Sequence, residues 1–261
     1  MKYIVVADKF DTAGRNILTQ LLDLEKFDYS VSNGSILDSA NLDLEKISKY
    51  DMVIFASKHK SETKEKTLSL HAPGNFREVW GGGKEGRLNH ASALFQKYLF
   101  QKLNEEKEKS GLTRYNVTLE CTHHGPLIDV PCVFIEVGGT EEEWKDKKAT
   151  FVVAKAIREA ILTYKPNPYN EIAFGIGGPH YCPAFNKLQL DSNVAIAHII
   201  PKYVSPITEE MILQAFNQTI EEIDFAVIDW KGVGKAEDRD KIIEILEKNY
   251  IPYKKVSEIK R

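Results

Sequence analysis

The chain is poor in cysteine: Cys121, Cys132 and Cys182 are the only three in 261 residues. Three isolated thiols make no disulfide framework, so a reducing, cytoplasmic setting is expected. Long apolar runs are missing too. Nothing approaches the roughly 20 residues of a membrane span, and residues 3–7 are too short a stretch for a signal peptide. No membrane contact is expected. Nor is there an excess of one charge, since 35 Lys and Arg face 38 Asp and Glu, a net charge of −3. Such a chain is not built to coat duplex DNA, which demands a broad basic surface. The local basic clusters, residues 58–60 and 145–148 and the tail residues Lys254, Lys255, Lys260 and Arg261, read as solvated surface. Repeats and low-complexity tracts are absent. So are the compact signatures of catalysis: Cys-x-x-Cys, His-Glu-x-x-His, the Gly-x-Ser-x-Gly elbow and the Gly-Lys-Ser/Thr phosphate loop.

What remains is an ordinary globular composition, 43% hydrophobic and 28% charged. No linker is obvious, which predicts one domain over 1–261. Tyr3-Ile-Val-Val-Ala7 reads as a buried strand and residues 11–22 as a helix with Ile17, Leu18, Leu21 and Leu22 on one face. Further strands are expected at 51–57, 68–70, 115–121, 132–137, 171–176, 193–200 and 225–228. Helices are expected at 91–109, 140–164, 208–216 and 235–249. Thr140 and Glu143 fit a capping box opening the second of these. Residues 73–89, with five glycines, read as a long loop insertion. Strands alternating with helices predict an α/β fold on one continuous, mostly parallel mixed sheet.

The seven histidines are not scattered. His59, His71, His123, His124 and His180 each follow a predicted strand, where a parallel sheet would place a site. Convergence of several titratable groups needs a chemical reason. In Glu120-Cys-Thr-His-His-Gly-Pro126, either imidazole could act as general base, with Glu120 or Asp129 orienting it. In Gly175-Ile-Gly-Gly-Pro-His-Tyr-Cys-Pro183, the Gly177 and Gly178 amides are candidates for an oxyanion hole, and no helix is expected to follow directly. Cys121, His123, His124, His180 and Cys182 are possible metal ligands, and a zinc site assembled from separate strands would leave no local spacing. Asn75, in the Gly-rich loop, is either a donor to a substrate carbonyl or a turn residue. Trp80, Trp144 and Trp230 read as packing residues.

Together these motifs, with Leu70-His-Ala-Pro-Gly-Asn75, Ser57-Lys-His59 and Ile199-Ile-Pro-Lys-Tyr203, resemble the D-aminoacyl-tRNA deacylases of archaea and plants along most of the chain. The resemblance implies hydrolysis of the ester joining a D-amino acid to the tRNA 3′ end, a zinc requirement and a three-layer α/β/α fold akin to phosphorylases and peptidyl-tRNA hydrolases. The expected catalytic residues are Glu120, His123, His124 and His180. Lys58, His71, Asn75, Gly177, Gly178 and Tyr181 are expected on the substrate. His59, His123 and His180 are the metal candidates, which the resemblance does not itself assign. The partner is the single-stranded acceptor end of tRNA, met by a basic rim drawn from Lys58, Lys60, Lys84, Arg87 and Lys202. A monomer is expected. Rejection of the L enantiomer is expected from a pinned α-amino group and a pocket that blocks the L side chain. A zinc aminopeptidase-like hydrolase, a phosphorylase and a non-catalytic tRNA-end or nucleotide binder remain open as alternatives.

Overall fold

The structure, a computed structural model, describes residues 1–60, 63–79 and 81–260. In chain order it runs β1 (Tyr3–Asp8), α1 (Thr12–Leu24), β2 (Tyr29–Ser32), α2 (Leu44–Ile47), β3 (Met52–Lys60), β4 (Thr67–His71), β5 (Gly74–Asn75) and β6 (Arg87–Leu88). Then follow α3 (Ala93–Lys109), β7 (Asn116–Leu119), β8 (Cys132–Gly139), α4 (Glu141–Trp144), α5 (Lys147–Thr163), β9 (Glu171–Ile176) and α6 (Pro183–Asp191). The chain closes with β10 (Val194–Ile200), α7 (Glu209–Asn217), β11 (Phe225–Ile228), α8 (Ala236–Lys248) and β12 (Tyr253–Lys255).

The class is α/β with mostly parallel strands, as the alternation predicts. The strands divide, however, into two large sheets and the small β5–β6 pair rather than one sheet. The first has the order β2-β1-β3-β8-β4-β7 and reverses direction only between β8 and β4. The second, β10-β9-β11-β12, is parallel throughout. Helix α3 explains the division. It buries Phe95, Leu99, Phe100 and Leu103 and packs against β4 and β7 of one sheet and β9 and β10 of the other. A helix buried on several sides fills the space that further strands would need. Val5, Ile54, Phe95 and Leu99 share one buried cluster with Val194, Ile196 and Phe225, so a single core runs through both sheets.

Each large sheet is covered on both faces. In the second, Phe174, Ile176 and Ile228 pack with Met211, Ile212, Ile242 and Leu246 of α7 and α8, while Phe185 and Leu188 of α6 lie on the α3 side. Local chemistry sets the element ends. Asp11 accepts from the Gly14 amide and caps α1. The Thr140/Glu143 capping box is present. The helix expected over 140–164 breaks in two, because Asp146 accepts from the Lys148 and Ala149 amides and starts α5 afresh. The 73–89 loop is closed at its base by the antiparallel pairing of β5 with β6. Trp80 and Arg261 lie outside the described residues. Among those described, no helix is long and apolar enough to cross a membrane.

Candidate active site

Strand register builds the site. Phe55, Ser57 and His59 of β3 stand opposite Phe134, Glu136 and Gly138 of β8, and these in turn oppose His71, Ser69 and Thr67 of β4. Directly paired residues project to the same face, so His59, Glu136 and His71 share one. The expectation that the histidines meet at the carboxyl ends of parallel strands is therefore corrected. Strand β4 runs against β3 and β8, His71 arrives from the opposite direction, and the common ground is a sheet face. Gly138 keeps that face open: a Cβ there would lie 1.9 Å from Thr67 Oγ1 and 3.4 Å from the His59 ring.

The segment after β7 lies across this face. It is fixed to the loop after β9 by the Cys121 amide on the His180 carbonyl (2.9 Å) and to β10 by the Thr122 amide on the Ile199 carbonyl (3.0 Å). Glu120, fully buried, points Oε2 at three imidazoles: His180 Nε2 at 3.0 Å, His59 Nδ1 at 3.3 Å and His123 Nε2 at 3.6 Å. Burial would raise its carboxyl, but the His180 hydrogen bond and the neighbouring imidazoles hold it well below the usual carboxylate range. Burial works against a charge on His180 too, but its bonds to Cys121 and Glu120 push it up to about 10. These two form an ion pair. Asp129, the other orienting candidate, is exposed.

The other imidazoles are kept neutral. Burial, reinforced by neighbouring imidazoles, lowers His71 and His123 far below the ordinary histidine value; burial also brings His124 down to about 4 and lowers His59. Their tautomers follow from their partners. His71 Nδ1 lies 3.2 Å from the Ala72 carbonyl, His123 Nδ1 2.8 Å from that of Cys121 and His124 Nδ1 2.7 Å from that of Gly125. A carbonyl only accepts, so each Nδ1 carries the proton and each Nε2 presents a bare lone pair.

Sequence reasoning missed Glu136. Its Oε2 lies 3.7 Å from His59 Nδ1 and 3.6 Å from His71 Nε2, and has no hydrogen-bond partner among the described residues. Burial first, then the charge of Glu120, raises its carboxyl well above normal, so it is held as the acid. Ser57 hydrogen-bonds that carboxyl and lies 3.3 Å from Asp11 Oδ2, the cap of α1. The signal was present: one carboxylate in the otherwise apolar run Cys132-Val-Phe-Ile-Glu136-Val.

Other expected residues are placed differently from one another. The Tyr181 hydroxyl lies 3.2 Å from His59 Nε2. Asn75 is buried and donates to the Gly82 carbonyl (2.8 Å), closing its own loop. Gly177 and Gly178 are corrected as oxyanion donors. Their amides are spent on the carbonyls of Ile200 (2.8 Å) and Gly232 (3.1 Å). A helix does follow that glycine segment, from Pro183. Lys58, Lys60, Lys84, Arg87 and Lys202 are all exposed, with the Lys58 ammonium 5.0 Å from the centre of the Trp144 ring. Cys182 and Cys132 are buried, and burial pushes both thiols up, as inert packing requires.

The donor chemistry fits a divalent metal. His59, Glu120, His123 and His180 bring their donor atoms within 4.8 Å of one another, as do His71, His123 and His124, and His71, Glu120 and Glu136. Three bare Nε2 lone pairs, each with its ring fixed through Nδ1–H to a carbonyl, are the tautomers that metal ligation uses. Of the three metal candidates, His123 belongs to two of the three groups and His59 and His180 to the first.

This is an α/β protein with a buried imidazole–carboxylate centre, the class that includes acid–base and metal-dependent hydrolases. The sequence profile of the D-aminoacyl-tRNA deacylases matches residues 46–254, and the chain belongs to that family. A D-aminoacyl-tRNA deacylase of Methanocaldococcus jannaschii is 33% identical across 98% of this chain and 100% of its own length. One from Pyrococcus furiosus is 32% identical, over 88% of this chain and 91% of its own. The crystal structure of a conserved protein of unknown function, AF0625, superposes with a TM-score of 0.89 at 29% identity, covering 99% of this chain and 96% of that one.

Proposed function

We propose that this chain hydrolyses the ester between a D-amino acid and the 3′ end of tRNA, releasing the free D-amino acid and the tRNA. Family membership supports the reaction. The observation that carries its location is Glu120 Oε2 facing three imidazole nitrogens within 3.6 Å. Water attacks the ester carbonyl, and the acyl–oxygen bond breaks. His123 is the base in this reading. It is neutral, its Nε2 is bare, and Glu120 lies beside it to stabilise the imidazolium as the proton arrives. His180, kept cationic by Glu120, puts positive charge near the developing oxyanion. Tyr181 holds His59 through Nε2.

Zinc would be held by His71, His123 and His124, by His71, Glu120 and Glu136, or by Glu120, His59, His123 and His180 once His180 has given up its proton; on zinc, His123 Nε2 would be a ligand and no longer the base. When bound, zinc supplies Lewis acidity and lowers the pKa of water. The exposed lysines and arginine contact the acceptor end, the tRNA substrate places the reaction in the cytoplasm, and the whole chain acts as one monomeric catalytic domain. The core that crosses both sheets supports the single domain.

The test is Glu120→Gln and His123→Gln, each assayed for amino-acid release from D-aminoacyl-tRNA. Each variant is expected to lose at least about a hundredfold in rate, the usual scale of a positioned acid–base group. Wild-type rates in both would remove the reaction from this site.

A further inference from the structure

His180 meets Glu120 through Nε2, which leaves Nδ1 to decide how the ring is turned. Two groups face Nδ1: Cys121 Sγ at 3.5 Å and the Tyr203 hydroxyl at 3.3 Å. That hydroxyl also lies 2.8 Å from Cys121 Sγ. A thiol is a weak partner, whereas a phenol both donates and accepts. Tyr203 can therefore serve either state of Nδ1, beside the softer Cys121 sulfur.

We propose that Tyr203 is a positioning residue for the deacylation, its hydroxyl fixing the rotation of the His180 ring so that Nε2 stays on Glu120. The inference rests on the proposed reaction only for its kinetic consequence. Tyr203 lies on the short 3-10 turn Lys202–Val204 after β10, 56% exposed although its hydroxyl reaches the fully buried Cys121. Packing alone does not account for a tyrosine there, since over half of the residue's surface is exposed. The turn is itself held from elsewhere. Arg77, between β5 and β6, donates through Nε to the Val204 carbonyl (2.8 Å) and through Nη2 to that of Pro206 (2.5 Å). The Gly-rich loop thereby steadies the turn that carries Tyr203, and through it His180.

The test uses the full chain with Tyr203→Phe, which keeps the ring and its burial and removes only the hydroxyl. Single-turnover release from D-Tyr-tRNA should slow about tenfold, with the half-saturating enzyme concentration unchanged. The 15N signals of the His180 ring, assigned with His180→Gln, should shift. Arg77→Ala should move both readouts the same way by less. An unchanged rate with unmoved His180 signals overturns the proposal. So does weaker half-saturation at an unchanged rate, which would make Tyr203 a tRNA contact instead. If the wild type releases nothing from D-Tyr-tRNA, the functional reading fails, and the His180 signals alone decide the role of Tyr203.

Discussion

Glu143 shows how far a few contacts can move one carboxyl. Burial would raise it, but Lys66 at 2.6 Å and the hydroxyl and amide of Thr140 outweigh that and hold it at about 2, against an ordinary 4.5. A depressed carboxyl contributes stability that is complete above about pH 4.5 and is lost as pH falls towards 2. Glu143→Gln should therefore cost about 2 kcal/mol at pH 7 and about half of that at pH 3. Urea melts at the two pH values check this, and an equal loss at both would contradict it. Gly138 is as constrained by space as Glu143 is by charge. Gly138→Ala puts its methyl on Thr67 Oγ1 and against His59. The expected cost is about 1 to 3 kcal/mol, the range for overpacking, together with reduced deacylation because His59 is displaced. A variant with wild-type melting temperature and rate would contradict the crowding.

At the scale of elements, caps and strand direction settle what composition leaves open. Asp11 caps α1 and also accepts from the Lys58 amide at 2.9 Å. Asp11→Ala should cost about 1 to 2 kcal/mol and loosen the end of β3 that carries His59. Thermal melts and the deacylation rate of that variant would show both effects, and loss of neither would contradict the link. Much of this was legible in the sequence. The β-branched run at residues 3–7, the Thr140/Glu143 box and the alternation of strands with helices each appear as read. Strand direction was not legible, because the 68–70 run looks the same whether it lies parallel or antiparallel to β8. Hence the five histidines read as convergent do lie together, while their meeting place was put at strand ends. The split at Asp146 was missed because the helical spacing of 140–164 continues through it. Helix α6 was missed behind Pro179 and Pro183, and Glu136 because a charge in a buried strand is invisible to a periodicity count.

For the molecule as a whole, the site is a junction. The face of one sheet supplies His59, His71 and Glu136, and the segment leaving the other supplies His180 and Tyr181. A ligand held across that junction stabilises the fold by mass action, about 2.7 kcal/mol at a concentration a hundred times its dissociation constant. Zinc titrated into chelator-treated protein should therefore raise the melting temperature, and His123→Gln, which removes a ligand from two of the three donor groups, should reduce the rise. An unchanged melting temperature in the wild type would contradict zinc binding at this junction.

The most direct measurement is release of tyrosine from D-Tyr-tRNA and from L-Tyr-tRNA, each with and without a chelator. Release from the D substrate alone, lost with chelator and restored by zinc, is the predicted result. D-selective release that survives the chelator would keep the reaction and leave His123 as its base without metal. Release from neither substrate, or equal release from both, would contradict the account.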